Sequence, residues 1–301
     1  MISQWDCLLK NLGVWQGSFA HFSPLGIQQD EIPSRVTLAG VDDNRTIRQT
    51  IQKYSVQGNL IYDRVLEYSS LNRSILFCET GAFSQGSLQY GLFAEFGAEL
   101  GLIEGQRRFR LVQLFDRQGE LSQLTLMREQ LDLSGDLSGD LPAPATQLSQ
   151  PDPSSIPTNF SPTELLSALV GTWIGEAKTY YPDWREPTSS ATHLTVAIEG
   201  NQLFQTLQTG NFSFSSVGQM AGSVIRFDQG NYPIQVVLLP GGGSSNAPIS
   251  IPRGQAFFLE AGWLMAPDRR QRLIRSYDAK GEWVSLTLVT EKKVRNHPDE
   301  I

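Results

Sequence analysis

The chain has 301 residues, with 24 Lys and Arg against 31 Asp and Glu, and a net charge of −7. That balance excludes the basic stripe of a nucleic-acid-binding domain and argues against docking on anionic lipid. No apolar run approaches the ~18 residues a membrane span needs, and Met1-Ile2-Ser3-Gln4-Trp5-Asp6 lacks the basic start and apolar stretch of a signal peptide. A cytoplasmic protein of about two domains is therefore expected, with its two cysteines, Cys7 and Cys78, as free thiols.

The first predicted element is a short helix. Ser3 is placed to cap it, Trp5, Leu8, Leu9 and Leu12 form its apolar stripe, and Gly13 stops it. After Trp15 the hydrophobic period falls from about 3.6 to 2. Short strands are predicted at 36–39, 45–52, 59–68, 73–79, 87–96, 107–115 and 121–129, separated by turns such as Asp42-Asp43-Asn44 and Asp116-Arg117-Gln118-Gly119.

The stretch 132–160 is acidic, rich in Pro, Ser and Gly, and lacks Lys and Arg. It offers too little apolar surface to offset its chain entropy, so a flexible linker is expected there. Ser161-Pro162-Thr163-Glu164 then combines an N-cap, a proline at the first helical position and a capping-box glutamate. Leu165, Leu166, Leu169 and Val170 supply the stripe of this second helix before Gly171. The strand pattern that follows resembles the first half.

The resemblance is a duplication. Gly13-Val14-Trp15 answers to Gly171-Thr172-Trp173, and residues 107–129 lie gap-free over 269–291. A period this long marks a repeated domain and not a solenoid unit. Each copy reads as one helix followed by about eight antiparallel strands, the pattern of an up-and-down barrel, wide enough for one small ligand. The domains expected are a first barrel over 1–131, the linker over 132–160 and a second barrel over 161–295.

Gly-x-Trp after a short helix, followed by antiparallel strands, resembles the lipocalin–calycin superfamily. The closing hairpin, residues 269–277 and 283–291, looks like that of an uncharacterised cyanobacterial family of tandem lipocalin-like proteins, similar in fold to the S-type phycobiliprotein chromophore lyases. The resemblance implies an all-β fold of two tandem calycin barrels and a hydrophobic ligand, in its most specific form a bilin. It also implies a phycobiliprotein subunit as partner. Such a lyase needs no nucleophile of its own, because the thioether forms on the client's cysteine. It needs a pocket, cations for the propionates and a carboxylate near the pyrrole nitrogens. The alternatives left open are a carrier of a fatty-acid-like acid and an interaction module with filled barrels.

Candidate binding residues fall in the second copy. Arg275 and Tyr277 share a strand face with Leu273. Pointed inward they would clamp a ligand carboxylate; pointed outward they are a solvated arginine and a half-buried tyrosine. The first copy has Gln113 and Phe115 there. Glu260, Trp263 and Trp283 would add an acid and two aromatic walls, or are ordinary strand packing with Glu260 outward. Arg110 and Arg272 recur in both copies, and in lipocalin-like folds an arginine packs over the Gly-x-Trp tryptophan. They are therefore expected to close the barrels over Trp15 and Trp173, a cation–π contact worth ~0.5–2 kcal/mol. Glu129 and Glu291 are expected as solvated strand ends, and the first copy as mainly structural or partner-facing.

No catalytic residue is assigned. His21, His193 and His297 have no ligand spacing, so no metal site is expected. No Gly-x-Ser-x-Gly elbow occurs. Pro240-Gly241-Gly242-Gly243-Ser244-Ser245 lacks the lysine and following helix of a phosphate loop and reads as a flexible hairpin loop.

Overall fold

The computed structural model describes residues 2–133, 160–210 and 212–294; nearly all of the expected linker, and His297, lie outside them. The chain divides into two compact units. One gathers Met1–Leu88, Gly97–Leu114 and Ser122–Pro157, the other Gln89–Phe96, Phe115–Leu121 and Thr158–Ile301.

The first unit opens with α1 (Gln4–Leu9), capped by the Ser3 hydroxyl, which accepts from the Asp6 amide at 3.0 Å. The strands follow in chain order: β1 (Gly13–Phe22), β2 (Gln28–Val41), β3 (Thr46–Tyr54), β4 (Leu60–Tyr68), β5 (Ile75–Phe77), β6 (Phe83–Gly86), β7 (Phe96–Glu104), β8 (Arg107–Phe115) and β9 (Leu121–Asp132). They form one nine-stranded sheet in the order β4-β3-β2-β1-β9-β8-β7-β6-β5. It is a curled sheet whose free edges are β4 and β5. Cys7 and Leu8 of α1 pack with Trp15, Val36, Leu38, Ile47 and Phe77 in the core. Cys7 and Cys78 are buried free thiols, and burial pushes the Cys7 thiol up.

The second unit opens with α2 (Pro162–Leu169), where both hydrogen bonds of the Ser161–Glu164 capping box are made. Ten strands follow: β10 (Gly171–Tyr180), β11 (Thr188–Glu199), β12 (Gln202–Thr209), β13 (Phe212–Ala221), β14 (Val224–Phe227), β15 (Ile234–Leu239), β16 (Gly243–Pro248), β17 (Phe257–Ala266), β18 (Arg269–Tyr277) and β19 (Trp283–Lys293). They close into a barrel through β10 and β19. Leu165, Trp173, Leu194, Val196, Leu203, Ile225, Phe227, Leu238 and Leu264 make its core cluster.

The strand counts, nine and ten, exceed the eight expected, and two segments differ from expectation. Residues 87–96, expected as a strand, contain turns, with Phe93 at a φ of 64°. The apolar alternation there belongs to exposed residues, Leu88, Leu92 and Phe93, and the strand begins only at Phe96. The glycine-rich segment expected as a loop is a strand from Gly243, with Ser244 and Ser245 paired to Leu238 and Val237 on one side and Gly262 and Ala261 on the other. A Cβ on Gly262 would crowd the Ser244 hydroxyl, which would have to turn away.

The Gly-x-Trp motif has a plain physical basis. Gly13 and Gly171 sit at φ 134° and 123°, which side chains disfavour, and there the chain swings from helix to strand. The swing lets Trp15 Nε1 donate to Asn11 O, and Trp173 Nε1 to Leu169 O, each at 2.9 Å. Each indole thereby satisfies a carbonyl at the C-terminal side of its helix.

Candidate functional site

Each tryptophan lies under a buried charge network that is the same in both copies. The arginines stacked on the indoles are Arg108, 4.3 Å from the Trp15 ring, and Arg270, 4.8 Å from that of Trp173. These precede the expected Arg110 and Arg272 by two residues on the same strand face. Arg110 and Arg272 instead share a carboxylate with them. Glu129 accepts from Arg108 Nε at 2.7 Å and from Arg110 Nη2 at 2.7 Å; Glu291 accepts from Arg270 Nη2 at 2.6 Å and Arg272 Nη2 at 3.0 Å.

A second acid completes each network. Glu99 takes Arg110 Nη1 at 2.7 Å, and Glu260 lies 3.6 Å from Arg272. Glu129 and Glu291 are therefore not solvated strand ends but buried groups, and Glu291 lies opposite Arg270 across β18 and β19. Burial alone would raise their pKa; the two arginine charges and their hydrogen bonds outweigh it and hold each at about 2. Burial lowers the pKa of Arg108 and Arg270, whereas the flanking carboxylates raise that of Arg110 and Arg272. The network is balanced, two cations to two anions, so it makes a neutral floor.

The five second-copy candidates do not meet in one place. Glu260 pairs with Ile274 across β17 and β18 and is engaged with Arg272 on the face that carries Trp173. Arg275, Trp263 (paired with Gln271) and Tyr277 fall on the alternate face of these strands. There Arg275 stacks on Trp283 at 3.5 Å and donates from Nε to the Tyr277 hydroxyl at 2.8 Å, and Phe257 stacks on Tyr277 at 4.8 Å. Arg275 is 0% exposed and Tyr277 1%. Burial pushes the Arg275 pKa down and that of Tyr277 up.

A cavity of about 600 Å³ occupies the cup of the first unit. Leu8, Phe19, Leu38, Ile51, Phe83 and Met127 are among its apolar walls, and Arg108, Arg110 and Glu99 lie at its floor. Arg64, Leu66 and Tyr68 of the edge strand β4 and Ser70, Leu71 and Asn72 of the following loop line its open side. Because Arg108, Arg110 and Val112 line it, the interior of the cup is the even-numbered face of β8. Gln113, the counterpart of Arg275, alternates onto the other face.

A solved structure of a protein of unknown function from the DUF3598 family of Nostoc punctiforme is 41% identical, with a TM-score of 0.84, covering 98% of this chain and all of that one. This chain belongs to the DUF3598 family. Residues 1–134 match the N-terminal domain of unknown function of that family, and residues 161–294 match the C-terminal domain of biogenesis factor required for ATP synthase 1. An S-type phycobiliprotein lyase, CPES, from Guillardia theta is 12% identical over 46% of this chain and 95% of that one, with a TM-score of 0.37. Rv2717c from M. tuberculosis is 12% identical over 46% of this chain and 100% of that one, with a TM-score of 0.29. No curated protein matches.

Sequence reasoning missed the cup-lining residues of this DUF3598 protein. Strand register aligns the copies where their sequences do not. Trp15, Val36, Ile51 and Arg64 lie in one row of partners, as do Trp173, Leu194, Leu207 and Phe214. Gly17, Ser34, Lys53 and Tyr62 answer in the same way to Gly175, Thr192, Thr209 and Phe212. The signal available was the recurrence of Arg108, Arg110 and Glu129 as Arg270, Arg272 and Glu291; the divergence of Lys53 and Arg64 from Thr209 and Phe214 becomes visible only in the sheet.

Proposed function

We propose that this DUF3598 protein binds a small hydrophobic ligand in the cup of its first unit. The cavity of about 600 Å³ carries the reading. Small-molecule sites run about 300–1,000 Å³ and combine apolar walls with a few placed polar groups, and this cup has both. In its most specific form the ligand is a bilin, and the protein is a cytoplasmic, chromophore-lyase-like factor serving a phycobiliprotein subunit. Phe19, Phe77, Phe83 and Tyr68 offer flat surfaces for such a ligand, and the sequence resemblance supports it.

The test is to add phycocyanobilin to the purified full chain and record the visible spectrum. A saturable red shift, abolished by narrowing the cup with Ile51→Phe, is the expected result. An unshifted spectrum from a protein that still takes up Nile red would replace the bilin with a fatty-acid-like acid. Failure to take up any hydrophobic probe overturns the reading.

The second unit supports a different role. Its core cluster gathers around Trp173, and Trp184, Phe212 and Phe214 are exposed. Its match to a domain of an ATP synthase biogenesis factor adds a protein-handling reading, in which this unit docks a protein subunit during assembly. Trp184→Ala should weaken binding of a purified client subunit, read by native mass spectrometry; an unchanged affinity counts against it.

A further inference from the structure

We infer that the cup reads its ligand at two ends, and that the ligand is an amphipathic acid carrying an O–H or N–H donor remote from its carboxylate. This rests on the cup being a ligand site. The floor cannot supply the recognition of an acid, because Arg108 and Arg110 are fully engaged by Glu129 and Glu99. The open edge can. Lys53 pairs with Tyr62 and Ile51 with Arg64, so the Lys53 and Arg64 side chains project from neighbouring strands to one face. That face is the one that lines the cavity, where Arg64 is exposed at the β4 edge. Lys53 Nζ lies 4.3 Å from the centroid of the cavity-lining Phe19 ring.

No carboxylate is paired with either cation among the described residues. The acids of β4, Asp63 and Glu67, alternate onto the opposite face, where Glu67 is taken by Arg48. Two cations at an apolar mouth suit a carboxylate, to which arginine offers a charge-assisted fork.

The donor requirement comes from Asn11. It lines the cavity and is 2% exposed. Its Nδ2 donates to Gly81 O at 3.0 Å, and its own carbonyl accepts from Trp15. Its Oδ1 is buried with no partner. A buried acceptor without a donor is unfavourable, and a donor on the ligand would complete it. All three groups are peculiar to this copy: Leu169, Thr209 and Phe214 stand at the matching places in the second barrel.

Nile red displacement from the full chain by palmitic acid, ω-hydroxypalmitic acid and methyl palmitate tests both ends. The hydroxy acid should bind about tenfold tighter than palmitic acid, and palmitic acid about tenfold tighter than the ester. Arg64→Gln, at an exposed position, should erase the preference for the acid and keep that for the hydroxyl. Asn11→Leu should do the reverse, with its thermal midpoint recorded alongside; the ligand series on the unaltered protein decides even where that variant folds poorly. Equal affinities for the three ligands overturn this inference and leave the hydrophobic-ligand reading standing. No Nile red uptake at all overturns both.

Discussion

Glu129 and Glu291 each tie two arginines together in the interior of their units. Each is a buried carboxylate held by two guanidiniums, and removal of one partner from such a group costs about 3–5 kcal/mol because the other charge is left buried and uncompensated. Glu129→Gln and Glu291→Gln should each destabilise by that amount in urea denaturation, whereas Arg64→Gln should change stability by under about 0.5 kcal/mol. The sign of the pH dependence follows from the depressed carboxyls. Their folded pKa of about 2 lies below the ordinary 4.5, so their contribution is complete above the ordinary value and is lost as pH falls toward the folded one. Each is worth on the order of 3 kcal/mol. Circular dichroism over falling pH should show unfolding confined to that acid window. The Gln variants, already lacking the carboxylate, should be less stable at neutral pH and flatter below it; an acid limb as steep as that of the unaltered protein would contradict the linkage.

At the scale of elements, the parts legible in the sequence are those written in local chemistry. Ser161, Pro162 and Glu164 define α2, and Ser161→Ala should cost about 1 kcal/mol, measurable as a lowered thermal midpoint with barrel strands intact by far-ultraviolet spectra. The aspartate turns were equally plain. Asp116 Oδ1 accepts from the Gln118 and Glu120 amides, and Asp278 Oδ1 from those of Lys280 and Glu282, all between 2.8 and 3.0 Å. Gly119 and Gly281 follow at φ 82° and 78°. The facing of β18 was not legible for a physical reason. Arg270, Gln271, Leu273, Arg275 and Tyr277 are all buried, so polar and apolar residues do not alternate between solvent and core, and periodicity alone could not say which face met Trp173. The free edges at β4 and β5 were likewise hidden, since pairing is a property of the sheet and not of either strand's composition.

At the scale of the whole molecule, the two copies of one fold differ in how their sheets close. The second copy closes β13 onto β14 and packs a core cluster around Trp173; the first leaves β4 and β5 unpaired with each other and holds a cavity. The floor of Trp, Arg, Arg and Glu is common to both, and so serves folding first. Equivalent enlargements should then have opposite consequences. Ile51 lines open space, so Ile51→Phe should occupy part of the cup, leave stability nearly unchanged and abolish hydrophobic probe uptake. Val196 is packed within the second core, where added volume forces neighbours from their rotamers at about 1–3 kcal/mol. Val196→Phe should therefore lower stability while probe uptake persists. Paired denaturation and Nile red titrations of the two variants measure both consequences together. Loss of uptake from the Val196 variant, with the Ile51 variant unaffected, would move the ligand site to the second barrel.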